Sequence, residues 1–535
     1  MPTAQNSRKH HAIELSYIIQ IVQKLTNFKI LLAGVSLFVT LICWSLSAPL
    51  NSHRDERYHI ASIWCANENE DLCKHLGTNK VGSQIAIIKA NLCVPPNIDE
   101  TYKRILIQQS KNSCRYEFAD NDSLDYFSTM PNGYFEIEGS IGVWLAQGHT
   151  PSFYYKFMNL FVSENAETSI VLMRIINALI FCVILMALLT IASKKVFTGA
   201  LFAISLTMIP HGFFLIAGIT TNSWTYTGLA LNWAFLFILL NSKFRFQLKT
   251  FIAFLGWSVT LILILTSRYE GYVYLIFSTM LLVGIRILGL KIFSWINLLT
   301  SSILTVSLLL ILSTQFSGLR NLLILNTSQP KQFLDLIIVF GNAVKVSVAT
   351  PLRVLGLEPL GWLFNSLPRI VLFSELSLVI FTFSQVFEKK NRLQQKFLLI
   401  CFCFYFMIIL SQTYMKRDWT TPFYLIRTSW TGDEFHSRYF LPLFPFVIGM
   451  AAMFSKRTQV LFDQNKFKNL TVILLTFSHT VTLYEIGGIF RENPSWYWRN
   501  FPFGIETICI LGSLTFFFFI YLVFYTSKET NAGPL

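Results

Sequence analysis

Charge is what this chain has least of. Only 13% of its 535 residues are Asp, Glu, Lys or Arg, about half the share an ordinary soluble protein carries. A chain this poor in charge and 53% hydrophobic lacks the polar surface to be a soluble globular protein. It also lacks a glycine-rich loop of the phosphate-cradling kind, a solenoid repeat and any low-complexity tract. Apolar windows of about 20 residues, enough to cross roughly 30 Å of hydrocarbon, follow one another everywhere except between residues 50 and 169. No stretch is left for a nucleic-acid-binding domain, so the net charge of +14 needs another account.

The windows predict an all-α polytopic membrane protein of about twelve transmembrane helices, at 29–49, 170–192, 197–218, 223–241, 250–267, 271–289, 292–314, 369–387, 396–412, 439–455, 468–488 and 504–526. The first exceeds a secretory apolar core of about 7 to 15 residues and reads as an anchor. The domain plan follows: a cytoplasmic tail at 1–28, the first helix at 29–49, a large extracytoplasmic loop or cap at 50–169, helices 2–7 over 170–314, a second outer loop at 315–368, helices 8–12 over 369–526, and a tail at 527–535.

Basic residues support this topology. With both termini inside, every inner segment is net basic or neutral, and only Glu14, Glu388, Asp463 and Glu529 bring acids to that side. Lys and Arg concentrate in cytoplasmic segments of membrane proteins, so the positive net charge reports orientation and contact with the inner lipid leaflet.

Four of the nine cysteines, Cys65, Cys73, Cys93 and Cys114, fall in the cap. In an oxidising compartment they point to two disulfides, with three possible connectivities. Short loops favour Cys65 with Cys73 and Cys93 with Cys114; a zinc site is the alternative, and the spacing matches no usual ligand pattern. The cap mixes helical-looking stretches such as "GSQIAIIKANL" with turn signals at "CVPPNIDE" and "MPNGY", which suggests interfacial helices. In the second loop, Asp335, Lys345, Pro351 and Arg353 interrupt the apolar run, as in an interfacial or re-entrant helix.

Polar groups crowd the outer ends of the expected helices. "HRDERYHI" follows the first span; "HTPSFYY" precedes the second; "TTNSW" and "TSRYEGYVY" lie at later turns. Such a cluster is either a solvated anchor or chemistry. Arg268 followed by Glu270 at the mouth of two consecutive spans favours chemistry, because ionisable groups at helix ends facing a bundle mark ligand pathways. Few ionisable residues stand mid-span, which argues against a transporter.

The order of "DERYH", "HTPSFYY", "MIPHGFFLIAGITTNSWTY", "LGWLFNSLP", "SRYFLPLFP" and "WYW" resembles the bacterial predicted membrane proteins of unknown function grouped with the type C glycosyltransferase superfamily. The sequence departs from that pattern with Arg54 where a Pro commonly stands and Arg268 where a Lys is expected. The resemblance implies transfer of a sugar from a polyprenyl-phosphate carrier to a cell-envelope polymer, lipid or protein, outside the bacterial plasma membrane. It implies Asp55 or Glu56 as general base, and His59, His149, Arg268 and Arg438 as donor-phosphate ligands. Tyr154, Tyr155, Asn222 and Glu270 would line the pocket. It leaves open a divalent cation, Mg or Mn, for which Asp55, Glu56 and Glu270 offer oxygens. A non-catalytic part of an envelope assembly complex, or a lipid-linked sugar flippase, would share the helical plan.

Overall fold

The computed structural model describes residues 28–48, 56–66, 73–78, 84–89, 134–136, 153–163, 166–208, 210–242, 247–287, parts of 340–351, 368–387, 391–415, 440–455, parts of 457–460, 464–490 and 504–526. Its helices are α1 (Phe28–Ser47), α2 (Glu56–Trp64), α3 (Phe153–Asn159), α4 (Ala166–Ile191), α5 (Lys194–Thr207), α6 (Pro210–Ile216), α7 (Thr221–Asn241), α8 (Leu248–Leu265) and α9 (Tyr269–Ile287). Beyond a gap in the described chain come α10 (Arg369–Val386), α11 (Arg392–Met415), α12 (Phe444–Phe454), α13 (Asn465–Phe490) and α14 (Gly504–Thr526).

Among the described residues seven helices are long and apolar enough to cross a membrane, or eight if α5 and α6 form one broken span. The protein is thus a polytopic helical membrane protein. The expected windows at 271–289 and 439–455 carry shorter apolar stretches, Glu270–Ile285 and Leu441–Phe454. The window at 369–387 forms α10 with Glu375 inside it, and the one at 292–314 lies outside the described residues, as do both tails.

The cap departs from an all-helical expectation. It holds a three-stranded antiparallel sheet in the order β1 (Cys73–Thr78), β2 (Gln84–Lys89), β3 (Tyr134–Glu136). Cys73 pairs with Ile88, and Lys89 with Tyr134. The stretch read as helical is β2; its isoleucines at 85, 87 and 88 are β-branched and favour extended backbone.

Close helix packing comes from small residues, as in membrane bundles generally. A Cβ on Gly199 of α5 would lie 2.8 Å from the Gly449 carbonyl of α12. On α7 a Cβ at Gly228 would lie 2.9 Å from the Thr260 carbonyl of α8, and Asn232 donates to the Thr260 hydroxyl at 3.0 Å. Helix α7 is buried along almost its whole length, while α8 turns Phe251, Phe254, Leu255 and Ile262 outward, the apolar face that hydrocarbon contact requires. The last hairpin, α13 with α14, meets α1 where Thr40 and Thr515 share a hydrogen bond of 2.9 Å. In the second loop, Tyr405 of α11 donates to the Ser347 carbonyl at 3.1 Å; Asp335, Lys345 and Arg353 lie outside the described residues.

Candidate functional site

The cap meets the bundle where α1 ends and α2 begins, and a single arginine from α4 holds that joint. Arg174 donates from Nη2 to both Glu56 oxygens, at 2.8 and 2.9 Å, and from Nε to Oε1 at 3.1 Å. Its Nη1 donates to the Ser45 carbonyl at 2.9 Å and to the Ala48 carbonyl. Those carbonyls lie at the end of α1, where a helix leaves acceptors without internal partners. The planar fork of arginine fits a carboxylate in two directions, and Glu56 in the first turn of α2 also meets the positive end of that helix. Both side chains are 0% exposed. Removing one partner of such a pair strands the other charge, at a cost of about 3–5 kcal/mol.

His59, three residues past Glu56, faces α3. Its Nδ1 shares a hydrogen bond of 3.0 Å with the Tyr155 hydroxyl, and the two rings stack with centroids 5.9 Å apart. Asn159 adds a hydrogen bond of 2.8 Å to the Ile63 carbonyl, joining α3 to α2. Tyr154 lies edge-on to Tyr155 and to Trp224 of α7. Burial pushes its phenol well above the ordinary tyrosine range.

One turn below Arg174, Asn177 continues the same face of α4. It donates to the Gly218 carbonyl at 2.8 Å and accepts from Trp224 Nε1 at 2.9 Å. Two residues before Trp224, Asn222 accepts from Arg268 Nη1 at 3.2 Å. Arg268 donates to the two Glu270 oxygens, from Nη2 at 2.9 Å and from Nε at 3.2 Å. This second pair is 16% and 24% exposed, so it meets the surroundings as the Glu56 pair does not.

The sequence candidates Glu56, His59, Tyr154 and Tyr155 thus share one polar seam through α2, α3, α4 and α7, while Asn222, Arg268 and Glu270 form a second polar group at the α8–α9 turn. Asp55, His149 and Arg438 lie outside the described residues. The three links that complete the seam, Arg174, Asn177 and Trp224, are ones that sequence reasoning passed over. Arg174 was the findable one: it is an arginine inside the apolar run "SIVLMRIINALI", and an ionisable residue inside a span is itself a functional flag.

A separate buried polar group corrects the expectation of few mid-span ionisable residues. Ser478 of α13 donates to Glu375 of α10 at 2.7 Å. The neighbouring His479 accepts at Nε2 from Trp44 Nε1 at 2.7 Å, within rings of Trp44, Phe213 and Phe516. The indole only donates, so the His479 proton sits on Nδ1.

Among the described residues no three His, Cys, Asp or Glu side chains converge as a metal site. Among the cap cysteines, Cys65 is disulfide-bonded. The side chains of Cys73, Cys93 and Cys114 lie outside the described residues. The free thiols among the described residues are Cys43, Cys182, Cys401, Cys403 and Cys509, all in α1, α4, α11 and α14.

No curated protein and no solved structure matches the chain. A family model does: that of the predicted membrane proteins DUF2142 matches residues 37–447, a span that begins inside α1, takes in the whole cap and the seam, and ends in α12. With that match covering most of its length, the chain belongs to the DUF2142 family of predicted membrane proteins.

Proposed function

We propose that this protein is an integral membrane glycosyltransferase of the type C kind, moving a sugar from a polyprenyl-phosphate donor to a cell-envelope acceptor. The observation that carries the reading is the polar seam. It gathers an acid, an arginine, a histidine and tyrosines where the first long apolar helix meets the cap, the level at which a lipid-anchored phosphate and a water-soluble acceptor would meet. In this reading the chain spans the bacterial plasma membrane about twelve times, with both termini cytoplasmic and the seam on the extracytoplasmic face. The cap cysteines pair in that oxidising compartment.

The reaction needs few groups. The acceptor hydroxyl attacks the anomeric carbon, its proton passes to a carboxylate, and the bond from that carbon to the phosphate oxygen breaks. The polyprenyl phosphate leaves with the bonding electrons, and a single displacement inverts the anomeric centre. Asp55 serves as the base, since Glu56 is enclosed by Arg174. Arg268 offsets charge on the leaving phosphate, with Glu270 and Asn222 holding its guanidinium until donor arrives; His59, His149 and Arg438 are further candidates for that phosphate. Tyr154 and Tyr155 build the wall of the pocket. Should Mg or Mn take part, Glu270 and Asp55 are the oxygens on offer.

One observation favours a second reading, a lipid-linked sugar transporter. Helices α5 and α6 bend by 95° at their junction, and broken helices mark transporter binding sites. The deciding experiment reconstitutes the full-length protein in vesicles with a radiolabelled polyprenyl-phosphate sugar and envelope acceptor. Transfer that falls about 100- to 10,000-fold in Asp55→Asn, the range for losing a general base, supports the transferase. Movement of the intact donor between leaflets with no transfer refutes it and establishes the transporter.

A further inference from the structure

We propose that Glu375 is an intramembrane proton-binding site, at which a proton on Oε2 keeps α10 and α13 closed against each other and its release lets them part. The site lies on helices that the polar seam does not use, so it does not rest on the transferase reading.

Its depth is the first observation. Glu375 of α10 accepts at Oε1 from Ser478 Oγ at 2.7 Å, and Ser478 stands 13 residues after the start of α13 at Asn465 and 12 before its end at Phe490. At 1.5 Å per residue that is about 18–20 Å from either end. An acid held at the middle of a helix long enough to cross the membrane is a functional group by default. The second observation is an oxygen with nothing to hold. Glu375 is only 2% exposed, and among the described residues its Oε2 has no hydrogen-bond partner. An ionised carboxylate kept there would set one hydroxyl donor against a full buried charge, which costs far more than burying a neutral acid. A proton on Oε2 removes the charge and leaves Oε1 as the carbonyl that Ser478 needs. Thr471 and Thr482 lie on the same face of α13 as Ser478 and are buried with it. Thr482 donates to the Ser478 carbonyl, whereas the Thr471 hydroxyl has no partner among the described residues, so this face offers a proton polar atoms along an otherwise apolar contact.

The other titratable groups on the helices packed against α10, which are α13 and α5, stand elsewhere. His479 turns to Trp44, Phe213 and Phe516. Tyr484 and Glu485 are exposed on α13. Lys466 and Lys468 open α13, about 15 Å or more along the axis from Ser478, and Lys468 lies over the Tyr525 ring. Lys194 and Lys195 open α5, whose Phe202 meets Phe467 at that same end. Arg369, at the start of α10, is exposed. Releasing the proton therefore leaves the carboxylate with Ser478 alone, so proton release and separation of α10 from α13 go together.

The test uses full-length protein in nanodiscs, without donor or acceptor, so that failure of the transferase reading leaves its outcome standing. Infrared difference spectra should show a carboxylic-acid carbonyl band in wild type that Glu375→Gln lacks. Ser478→Ala should keep that band and move it to higher frequency, because the carbonyl loses a hydrogen bond. Hydrogen exchange in 369–386 and 465–490, corrected for its intrinsic pH dependence, should rise with pH in wild type by up to about tenfold per pH unit, the limit for release of one proton. It should stay flat in Glu375→Gln. If Glu375→Gln does not fold, wild type decides alone: dicyclohexylcarbodiimide, which adds to protonated acids in apolar surroundings, should label Glu375, and a water-soluble carbodiimide should not. A carboxylate band in place of the acid band would overturn the site, as would labelling of Glu375 by the water-soluble reagent in preference to the apolar one. Identical exchange profiles in wild type and Glu375→Gln would overturn the link between the proton and the helix contact.

Discussion

Among the described residues two arginine–glutamate pairs stand in contrasting surroundings. Arg174 and Glu56 are 118 residues apart in sequence and wholly enclosed. Arg268 and Glu270 are two residues apart and open to their surroundings. The first pair brings distant segments together and is closed off from solvent. The second joins near neighbours in the chain and stays partly exposed, with Asn222 as a further partner of Arg268. The same two side-chain types therefore serve as architecture in one place and, in the reading proposed above, as a donor-phosphate site in the other.

The comparison breaks if the two pairs respond alike to truncation. Arg174→Ala should destabilise the protein by about 3–5 kcal/mol, the cost of orphaning a buried partner, seen as loss of monodisperse protein on mild heating in detergent. Arg268→Ala should weaken polyprenyl-phosphate binding roughly 10- to 100-fold, as expected for losing a charge-assisted hydrogen bond. Glu270→Gln should tighten that binding by releasing Arg268, and scintillation proximity with labelled carrier lipid reads both. Trp224→Phe keeps the ring against Tyr154 but removes the donor to Asn177; about 1–3 kcal/mol of stability should go with it. The smallest effect is the sharpest check on the contrast: Arg268→Ala should change thermal stability by no more than about 1 kcal/mol.

Much of the helical plan was legible because hydrocarbon imposes one length and one composition on whatever crosses it. Runs such as 170–192 and 504–526 are mostly apolar, and α4 and α14 lie where those runs do. The broken end of the 197–218 window was less legible. "TMIPHG" carries Pro210, yet an apolar run reads as continuous by hydropathy, and the 95° bend depends on packing. In the cap, "GSQIAIIKANL" was misread because a short run of isoleucines fits helix or strand by pattern alone; only pairing with β1 and β3 decides it. The site was half legible. Glu56, His59, Arg268 and Glu270 announced themselves by standing in polar clusters next to apolar runs. Arg174 was flagged only by standing as a charge inside an apolar run, and Asn177 not at all; the partners of both are distant in the chain. Glu375 and His479 were invisible for the same reason.

The enclosed pair also sets an order of events during synthesis. Glu56 leaves the ribosome 118 residues ahead of Arg174, with the whole cap in between. Until α4 is inserted, α1 stands with the Ser45 and Ala48 carbonyls open and with an acid beside it that has no counter-charge from Arg174. Closure of the joint therefore waits on α4, and the cap completes its attachment only after the second long apolar helix is in the bilayer. A nascent chain halted before residue 166 lacks the Arg174 contacts to Glu56 and to the Ser45 and Ala48 carbonyls, and a chain released past α4 can form them.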